Sequence, residues 1–109
     1  MTVSTERRGD ITVAALSGEV DLNRAPEVRR CLIEAVKDTG RVVVDLHAVD
    51  YIDSSGVAAL VEAYQAARKR QGSFLLANVS PAALRVFKLA RLDKVFPIHE
   101  SLDEALDEA

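Results

Sequence analysis

The chain has 109 residues, a length that suits one compact domain and leaves too little material for two cores. Its net charge of -3 is not the basic excess typical of nucleic-acid-binding domains, and its apolar runs fall far short of the roughly 18 residues that a membrane-spanning helix needs. The first ten residues lack the pattern of a secretion signal, and the single cysteine cannot form an internal disulfide. We therefore expect one soluble domain, residues 1–109, in a reducing cytoplasm.

The chain begins with a predicted hairpin. Residues 11–16 form a short apolar, β-branched run, and the Gly9-Asp10 turn signal before it favours pairing with residues 3–7. A helix is predicted next, over residues 25–39, with Pro26 in its first turn and Gly40 beyond its end. The residues that share its apolar face are Val28, Cys31, Leu32, Ala35 and Val36, so Cys31 is expected to be a small core residue.

Strands and helices continue to alternate along the rest of the chain. Residues 41–46 are continuously apolar at their centre, which is typical of a strand in the middle of a sheet. Residues 57–67 have helical spacing, residues 73–79 form a second buried-type strand, and Ser80-Pro81 is the N-cap and first-turn pair of a helix over residues 82–90. Residues 94–98 are predicted to be a short last strand. A capping box formed by Ser101 and Glu104 then opens a fourth helix. This alternation predicts an α/β architecture.

The corner between the central strand and the second helix carries two hydroxyl groups, in the sequence DYIDSSGVAALVEAY. Asp53, Ser54, Ser55 and Gly56 lie where unpaired N–H groups and the helix dipole would stabilise an anion. One interpretation is purely structural: Asp53 or Ser54 caps the helix, and Gly56 permits close packing. The other is that one serine is exposed to receive a phosphate, which adds about -1.5 to -2 charge.

The sequence resembles the STAS domain family, and within it the bacterial anti-sigma factor antagonists, from about residue 11 to residue 106. The matching features are Gly18-Glu19-Val20-Asp21 at the end of an early strand, the Asp-Ser-Ser-Gly corner, and Asn78-Val79-Ser80-Pro81 before a helix. The resemblance implies a mixed sheet of about four to five strands with about four helices packed on it. It also implies that Ser54, the first serine after the aspartate, is the phosphorylated residue.

In such proteins the unphosphorylated form binds an anti-sigma factor that is also an ATP-dependent serine kinase with a histidine-kinase-like fold. This binding releases the sigma factor. Phosphorylation abolishes the binding to the anti-sigma factor, and a PP2C-type phosphatase restores that binding by removing the phosphate. The resemblance thus implies transcription regulation by partner switching in the cytoplasm, with this chain as a substrate and not an enzyme. From the charge, the short apolar runs and the missing motifs, we also expect no cofactor, no metal, no catalytic residue, no bound nucleic acid and no membrane insertion.

Two assignments at the predicted site stay open. Ser55 is the alternative phosphoacceptor, because its hydroxyl could be the modified one while Ser54 caps the helix. Asp21 lies near the phosphoacceptor by resemblance and would shape the partner contact together with Asp53, Ser55 and Gly56. Its structural alternative is a turn or cap acid before the first helix.

Other polar residues receive structural interpretations. His47 and His99 have no acid or cysteine at a metal-binding spacing and are expected to be solvent-facing loop residues. The corner lacks the Gly-x-Ser-x-Gly elbow of a hydrolase and the Gly-Lys-Ser/Thr of a phosphate-binding loop. Residues 68–70, Arg-Lys-Arg, are expected to complement the dipole at the end of a helix and to stay solvated.

Two other functions remain from the family resemblance. STAS-like domains also serve as regulatory subunits of membrane transport systems, including lipid-exporting ABC complexes, in which the corner serine need not be phosphorylated. Others are components of stressosome-like scaffolds. The Asp-Ser-Ser-Gly corner fits the phosphorylatable form better.

Overall fold

The computed structural model describes residues 2–109, which form one five-stranded sheet with helices on both faces. The elements in chain order are β1 (Thr2–Arg8), β2 (Ile11–Val20), α1 (Ala25–Thr39), β3 (Arg41–Ile52), α2 (Ser54–Lys69), β4 (Ser73–Ala77), α3 (Pro81–Leu89), a 3-10 turn (Leu92–Lys94), β5 (Ile98–His99) and α4 (Leu102–Glu108). The predicted mixed α/β fold is confirmed.

The strand order in the sheet follows the chain, β1-β2-β3-β4-β5. Strands β1 and β2 form the predicted antiparallel hairpin around Gly9, whose φ of 65° is the left-handed conformation that glycine adopts easily. The other neighbouring strands are parallel, because a helix or a helical turn carries the chain back across the sheet between them. The predicted central strand, β3, is indeed the middle strand.

Hydrophobic side chains divide the helices between the two faces of the sheet. The larger core joins buried residues of α1, α2 and α3 to one face, with Leu32, Leu60 and Phe87 fully buried. A smaller cluster joins Val43, Leu75 and Ala77, on the other face, to Ala105 of α4. Successive residues of a strand point to opposite faces, so the continuous run Val42–Val44 supplies both cores. This explains why its sequence shows no polar alternation.

Strand β3 is longer than predicted and ends at Ile52. The next residue, Asp53, begins the serine corner, by which we mean residues 53–56. Its second half pairs only with β2, and the register between the two strands shifts near Ala15 and again near Gly18. Because of these irregularities, burial along β3 no longer alternates every second residue: Val49 and Ile52 are both buried although they are three positions apart. The extension matters for function because it places the start of α2 beside the end of β2.

The predicted strand over residues 94–98 is wrong for most of its length. A 3-10 turn ends at Lys94, and only Ile98 belongs to β5. The aromatic ring of Phe96 explains the difference, because it packs into the larger core 5.3 Å from the ring of Tyr64 and 6.0 Å from that of Phe87. Burial of this ring holds the segment in a turn.

Three smaller expectations also need correction. Cys31 lies in the middle of α1 but is only half-buried, so it is not a core residue. His47 lies in β3 and His99 in β5, so neither is a loop residue, and His99 is partly buried. Of the three cations at residues 68–70, Arg70 donates a hydrogen bond to the carbonyl oxygen of Val36, at the end of α1, and is not merely solvated.

Candidate functional site

The N-cap of α2 is Asp53, whose carboxylate organises the serine corner. Its Oδ1 atom accepts hydrogen bonds from the N–H groups of Ser55 at 2.9 Å and Gly56 at 3.0 Å. Its backbone carbonyl accepts the N–H of Val57 at 3.0 Å. Of the two capping candidates, Asp53 therefore fills the role, and the Ser54 hydroxyl is not needed as a cap.

The two serines differ in exposure. Ser54 is the first residue of α2 and is exposed, whereas Ser55 is half-buried and faces the space between α1 and α2. An enzyme that modifies a hydroxyl group must reach its oxygen atom, and Ser54 is the more accessible of the two. The helix N-terminus also favours an anion at this position.

Close packing beneath the corner requires the glycine at position 56. A Cβ atom built on Gly56 would lie 2.5 Å from the carbonyl oxygen of Val20 and 2.8 Å from the side chain of Ile52. The start of α2 is thus pressed directly against the ends of β2 and β3. Any larger residue would move the serines relative to these strands.

Asp21 lies in the neighbouring loop, between β2 and α1. Its Oδ1 atom accepts hydrogen bonds from the N–H groups of Asn23 at 3.1 Å and Arg24 at 3.2 Å, and its carbonyl accepts that of Ala25 at 2.8 Å. These are the contacts of a turn acid that leads into α1. The structural role foreseen for Asp21 is present, and its carboxylate remains only half-buried.

The Asp53 carboxylate joins this loop to the corner. Its Oδ2 atom accepts the N–H of Leu22 at 3.1 Å, and the Asp53 N–H donates to the carbonyl of Val20 at 3.2 Å. Asp21, Asp53, Ser54 and Ser55 therefore lie in one surface region above the buried Gly56, although Asp21 is distant from the others in sequence.

Sequence reasoning missed Leu22, whose side chain is 69% exposed beside this region. Leu22 is a large apolar residue in a polar turn, and it belongs to no helical or extended pattern. A single apolar residue in such a place is the sequence signal that could have indicated a contact residue. Leu22 borders an open groove of about 340 Å³ between α1 and α2. The groove is lined by Leu22, Ala25, Pro26, Arg29, Ser55, Ala58, Ala59 and Glu62.

Most of the groove lining is small or apolar, and an Arg29–Glu62 ion pair crosses from α1 to α2. Such a surface can accept an apolar side chain of another protein, because it buries carbon atoms without leaving a buried polar group unpaired.

Other chemistry finds little support in the part of the chain that the structure describes. Within residues 2–109, no group of three His, Cys, Asp or Glu side chains could hold a metal ion. Over the same residues, no helix has the length and hydrophobicity needed to cross a bilayer. Ser54 also has no hydrogen bond to a histidine in the described chain that would activate it as a nucleophile.

Comparison with known proteins identifies the family. The anti-sigma-B factor antagonist of Listeria monocytogenes is 32% identical over 94 residues, which cover 85% of this chain and 82% of that protein. An anti-sigma factor antagonist from Mycobacterium paratuberculosis has a crystal structure with a TM-score of 0.88 and 33% identity, covering 98% of this chain and 92% of that one. The Bacillus cell fate determinant SpoIIAA in its phosphorylated form shares the fold, with a TM-score of 0.78, 22% identity and 98% coverage of both chains. The STAS domain model matches residues 2–105, and the chain therefore belongs to the STAS domain family.

Proposed function

We propose that this protein is an anti-sigma factor antagonist that acts by partner switching. In its unphosphorylated form it binds an anti-sigma factor and so releases the sigma factor, and phosphorylation of Ser54 abolishes this binding. The observation that carries the proposal is the exposure of Ser54 at the first position of a helix that Asp53 already caps. Relatives that are named as antagonists of anti-sigma factors support the same function.

A phosphate on Ser54 is compatible with the fold. The added dianion would lie at the N-terminus of α2, where partial positive charge stabilises it. The hydroxyl group makes no capping bond that modification would remove, because Oδ1 of Asp53 serves that purpose. The SpoIIAA structure in a phosphorylated form is consistent with a STAS fold that tolerates such a group.

The effect of the phosphate falls on the partner. The dianion would be placed beside the Asp53 carboxylate and at the mouth of the apolar groove, which Ser55 lines. A partner that covers this region must then remove water from two neighbouring anionic groups, and both the desolvation and the like-charge repulsion oppose binding. About 1.4 kcal/mol of lost binding free energy is enough for each tenfold loss of affinity.

The same proposal includes the rest of the pathway. The anti-sigma factor is an ATP-dependent serine kinase with a histidine-kinase-like fold, and a PP2C-type phosphatase removes the phosphate. The chain itself is a substrate without catalytic activity, and it acts in the cytoplasm. Asp21, Asp53, Ser55 and Gly56 shape the surface that the kinase recognises.

Isolation of the protein from its own cells tests the proposal. Mass spectrometry locates the phosphate, and the Ser54→Ala and Ser54→Asp forms are compared for the proteins that they retain. We expect the alanine form to retain a kinase of the histidine-kinase-like fold and the aspartate form to lose it. Ser55→Ala and Ser55→Asp are the matched controls, since they make the same changes one residue away at a half-buried position.

Each alternative has its own result. Phosphate on Ser55 alone would move the switch to that residue. Retention of an ABC ATPase and a permease by every form would instead indicate the transport function, and a large particle containing several STAS proteins would indicate a scaffold.

A further inference from the structure

Charge is strongly segregated in the second half of the chain. Residues 63–98 contain seven of the 14 Lys and Arg residues but only one of the 17 Asp and Glu residues. The following residues, 99–109, contain five acids and neither Lys nor Arg. A basic segment is thus followed directly by an acidic one, in a protein whose net charge is only -3.

The structure exposes both sets of charges. We call the seven exposed cations the basic surface: Arg68, Lys69, Arg70, Arg85, Lys88, Arg91 and Lys94. We call the five exposed carboxylates the acidic surface: Glu100, Asp103, Glu104, Asp107 and Glu108. The basic surface also carries two exposed apolar side chains, Leu89 at 81% and Val95 at 42% exposure.

Neither surface is neutralised within the chain. The five ion pairs among the described residues all take their cation from the first 41 residues, namely from Arg7, Arg8, Arg29, Arg30 and Arg41. Within residues 2–109, no member of the basic surface or of the acidic surface forms an ion pair. Arg70 bonds a backbone carbonyl, and Arg68 lies 5.8 Å above the Tyr64 ring, and neither contact cancels charge.

The topology explains why the two surfaces cannot meet in one molecule. The chain reaches β5 from the face of the sheet that holds α3, since Phe96 packs in the larger core. It leaves β5 for the opposite face, where Ala105 of α4 packs on Val43 and Leu75. Because β5 is the last strand of the sheet, the cations of the segment that leads into β5, Arg91 and Lys94, and the acidic surface that follows β5 lie on opposite sides of the same free edge.

We propose that a second copy of this chain binds across the β5 edge, with the part of the basic surface that precedes β5 in each copy against the acidic surface of the other. A two-fold axis along β5 exchanges the two faces of the sheet, so it brings the 3-10 turn and the last turn of α3 in one copy beside α4 of its partner. The same contact then forms twice, as in closed two-fold dimers. A two-fold axis perpendicular to the sheet would instead place like charges together, which electrostatics disfavours.

This dimer leaves the serine corner free. The start of α2 packs on Val20 and Ile52, at the ends of β2 and β3, whereas the dimer contact lies at β5, on the far side of β4. The inference therefore stands apart from partner switching, and each can fail without the other.

The test measures self-association of the purified protein by light scattering and sedimentation at an ionic strength of about 0.05 M and again at about 1 M, where the Debye length falls to about 3 Å. We expect a dimer at low salt whose dissociation constant rises at least about tenfold at high salt. A protein that is monomeric at both salt concentrations and at high protein concentration overturns the proposal, as does a dimer that salt does not weaken.

Charge reversal identifies the surfaces. Variant one carries Lys88→Glu and Lys94→Glu, and variant two carries Asp107→Lys and Glu108→Lys in the last turn of α4, where the helix dipole favours cations. We expect each variant alone to be monomeric, because its two facing surfaces then carry charges of the same sign. We expect the mixture to form a heterodimer, because in one contact both charges are reversed and in the other both are native, so both contacts are attractive. The control carries Arg24→Glu and Lys37→Glu, at two exposed cations outside the basic surface. Its net charge changes by the same amount as that of variant one, and it should dimerise like the wild type.

Circular dichroism and thermal unfolding establish that each variant is folded before it is compared. A mixture that stays monomeric while both variants are folded contradicts the proposed pairing. Binding of the monomeric wild type to vesicles of phosphatidylglycerol and phosphatidylcholine, lost in variant one, would assign the basic surface to a membrane and overturn the dimer.

Discussion

The carboxylate of Asp53 and the backbone N–H of Leu22 are joined by a hydrogen bond of 3.1 Å between residues 31 positions apart in the chain. The same carboxylate caps α2 through its other oxygen atom. One side chain therefore fixes both the start of the helix that carries Ser54 and the loop that carries the exposed Leu22.

This double role can be separated by mutation. We expect Asp53→Ala to lower the free energy of unfolding by about 1–2 kcal/mol, because the N-cap is lost. Asp53→Asn should cost less, since asparagine is a good N-cap residue. Its amide group supplies only one acceptor oxygen, so it cannot cap α2 and also accept the N–H of Leu22.

Urea unfolding measures the stability of both variants, and amide hydrogen exchange at Leu22 reports the state of the loop. Faster exchange at Leu22 in Asp53→Asn, with nearly normal stability, is the expected result. Unchanged exchange at Leu22 in both variants would show that the side chain does not hold the loop in solution.

A second prediction concerns the close approach beneath the corner. We expect Gly56→Ala to destabilise the protein by about 1–3 kcal/mol, because its Cβ atom would overlap the Val20 carbonyl and the Ile52 side chain. Gly9→Ala is an informative control, since Gly9 has a positive φ but no heavy atom within 4 Å of the added Cβ atom.

Thermal unfolding of the two glycine variants distinguishes the causes. Gly9→Ala should lower the free energy of unfolding only by the cost of a left-handed conformation for alanine, about 1 kcal/mol. It should leave the serine corner unchanged. Equal stability of Gly56→Ala and the wild type would mean that the start of α2 can move away from β2 without cost.

Sequence patterns predicted the elements well where local rules dominate. The Gly9-Asp10 hairpin, the Ser80 N-cap, which accepts the N–H of Ala83 at 3.2 Å, and the Ser101 cap, which accepts that of Glu104 at 3.2 Å, are all present. Each depends on residues within a few positions of one another, so a single stretch of sequence contains the whole signal.

Patterns failed where distant contacts decide the structure. The strand predicted near residue 96 is a turn because the Phe96 ring packs against Tyr64, 32 positions earlier in the chain. Likewise, the sequence indicated a capping acid in the corner, but it contained no signal for the second bond of Asp53, to Leu22. Tertiary packing of this kind overrides local propensity.

The role of Phe96 provides a third prediction. We expect Phe96→Ala to lower the free energy of unfolding by about 3–5 kcal/mol, because the ring is almost fully buried among three other aromatic rings. Leu89→Ala also removes a large apolar side chain from this part of the fold, but Leu89 is 81% exposed and its loss should change stability by less than about 0.5 kcal/mol.

Chemical denaturation at low protein concentration compares these two variants without a contribution from self-association. A loss below about 1 kcal/mol in Phe96→Ala would indicate that the segment before β5 is not anchored by the aromatic cluster.

The last prediction connects Leu22 to the proposed function. Leu22 is exposed, yet its backbone is held by Asp53 and by the turn at Asp21, so its side chain can enter an interface without a large ordering cost. We expect Leu22→Ala to weaken binding of the anti-sigma factor at least about tenfold, as for a residue at the centre of an interface. Stability should change by less than about 0.5 kcal/mol, because little buried surface is lost.

Titration calorimetry with the kinase that the Ser54→Ala form retains measures the affinity, and Leu89→Ala is the matched control, because Leu89 is also an exposed leucine but does not line the groove. If Leu22→Ala binds as tightly as the wild type, while Ser54→Asp does not bind, the switch serine is correctly placed but the groove lies outside the contact. If both variants bind normally, the partner covers a different surface, and a phosphate at the start of α2 has no neighbour to repel.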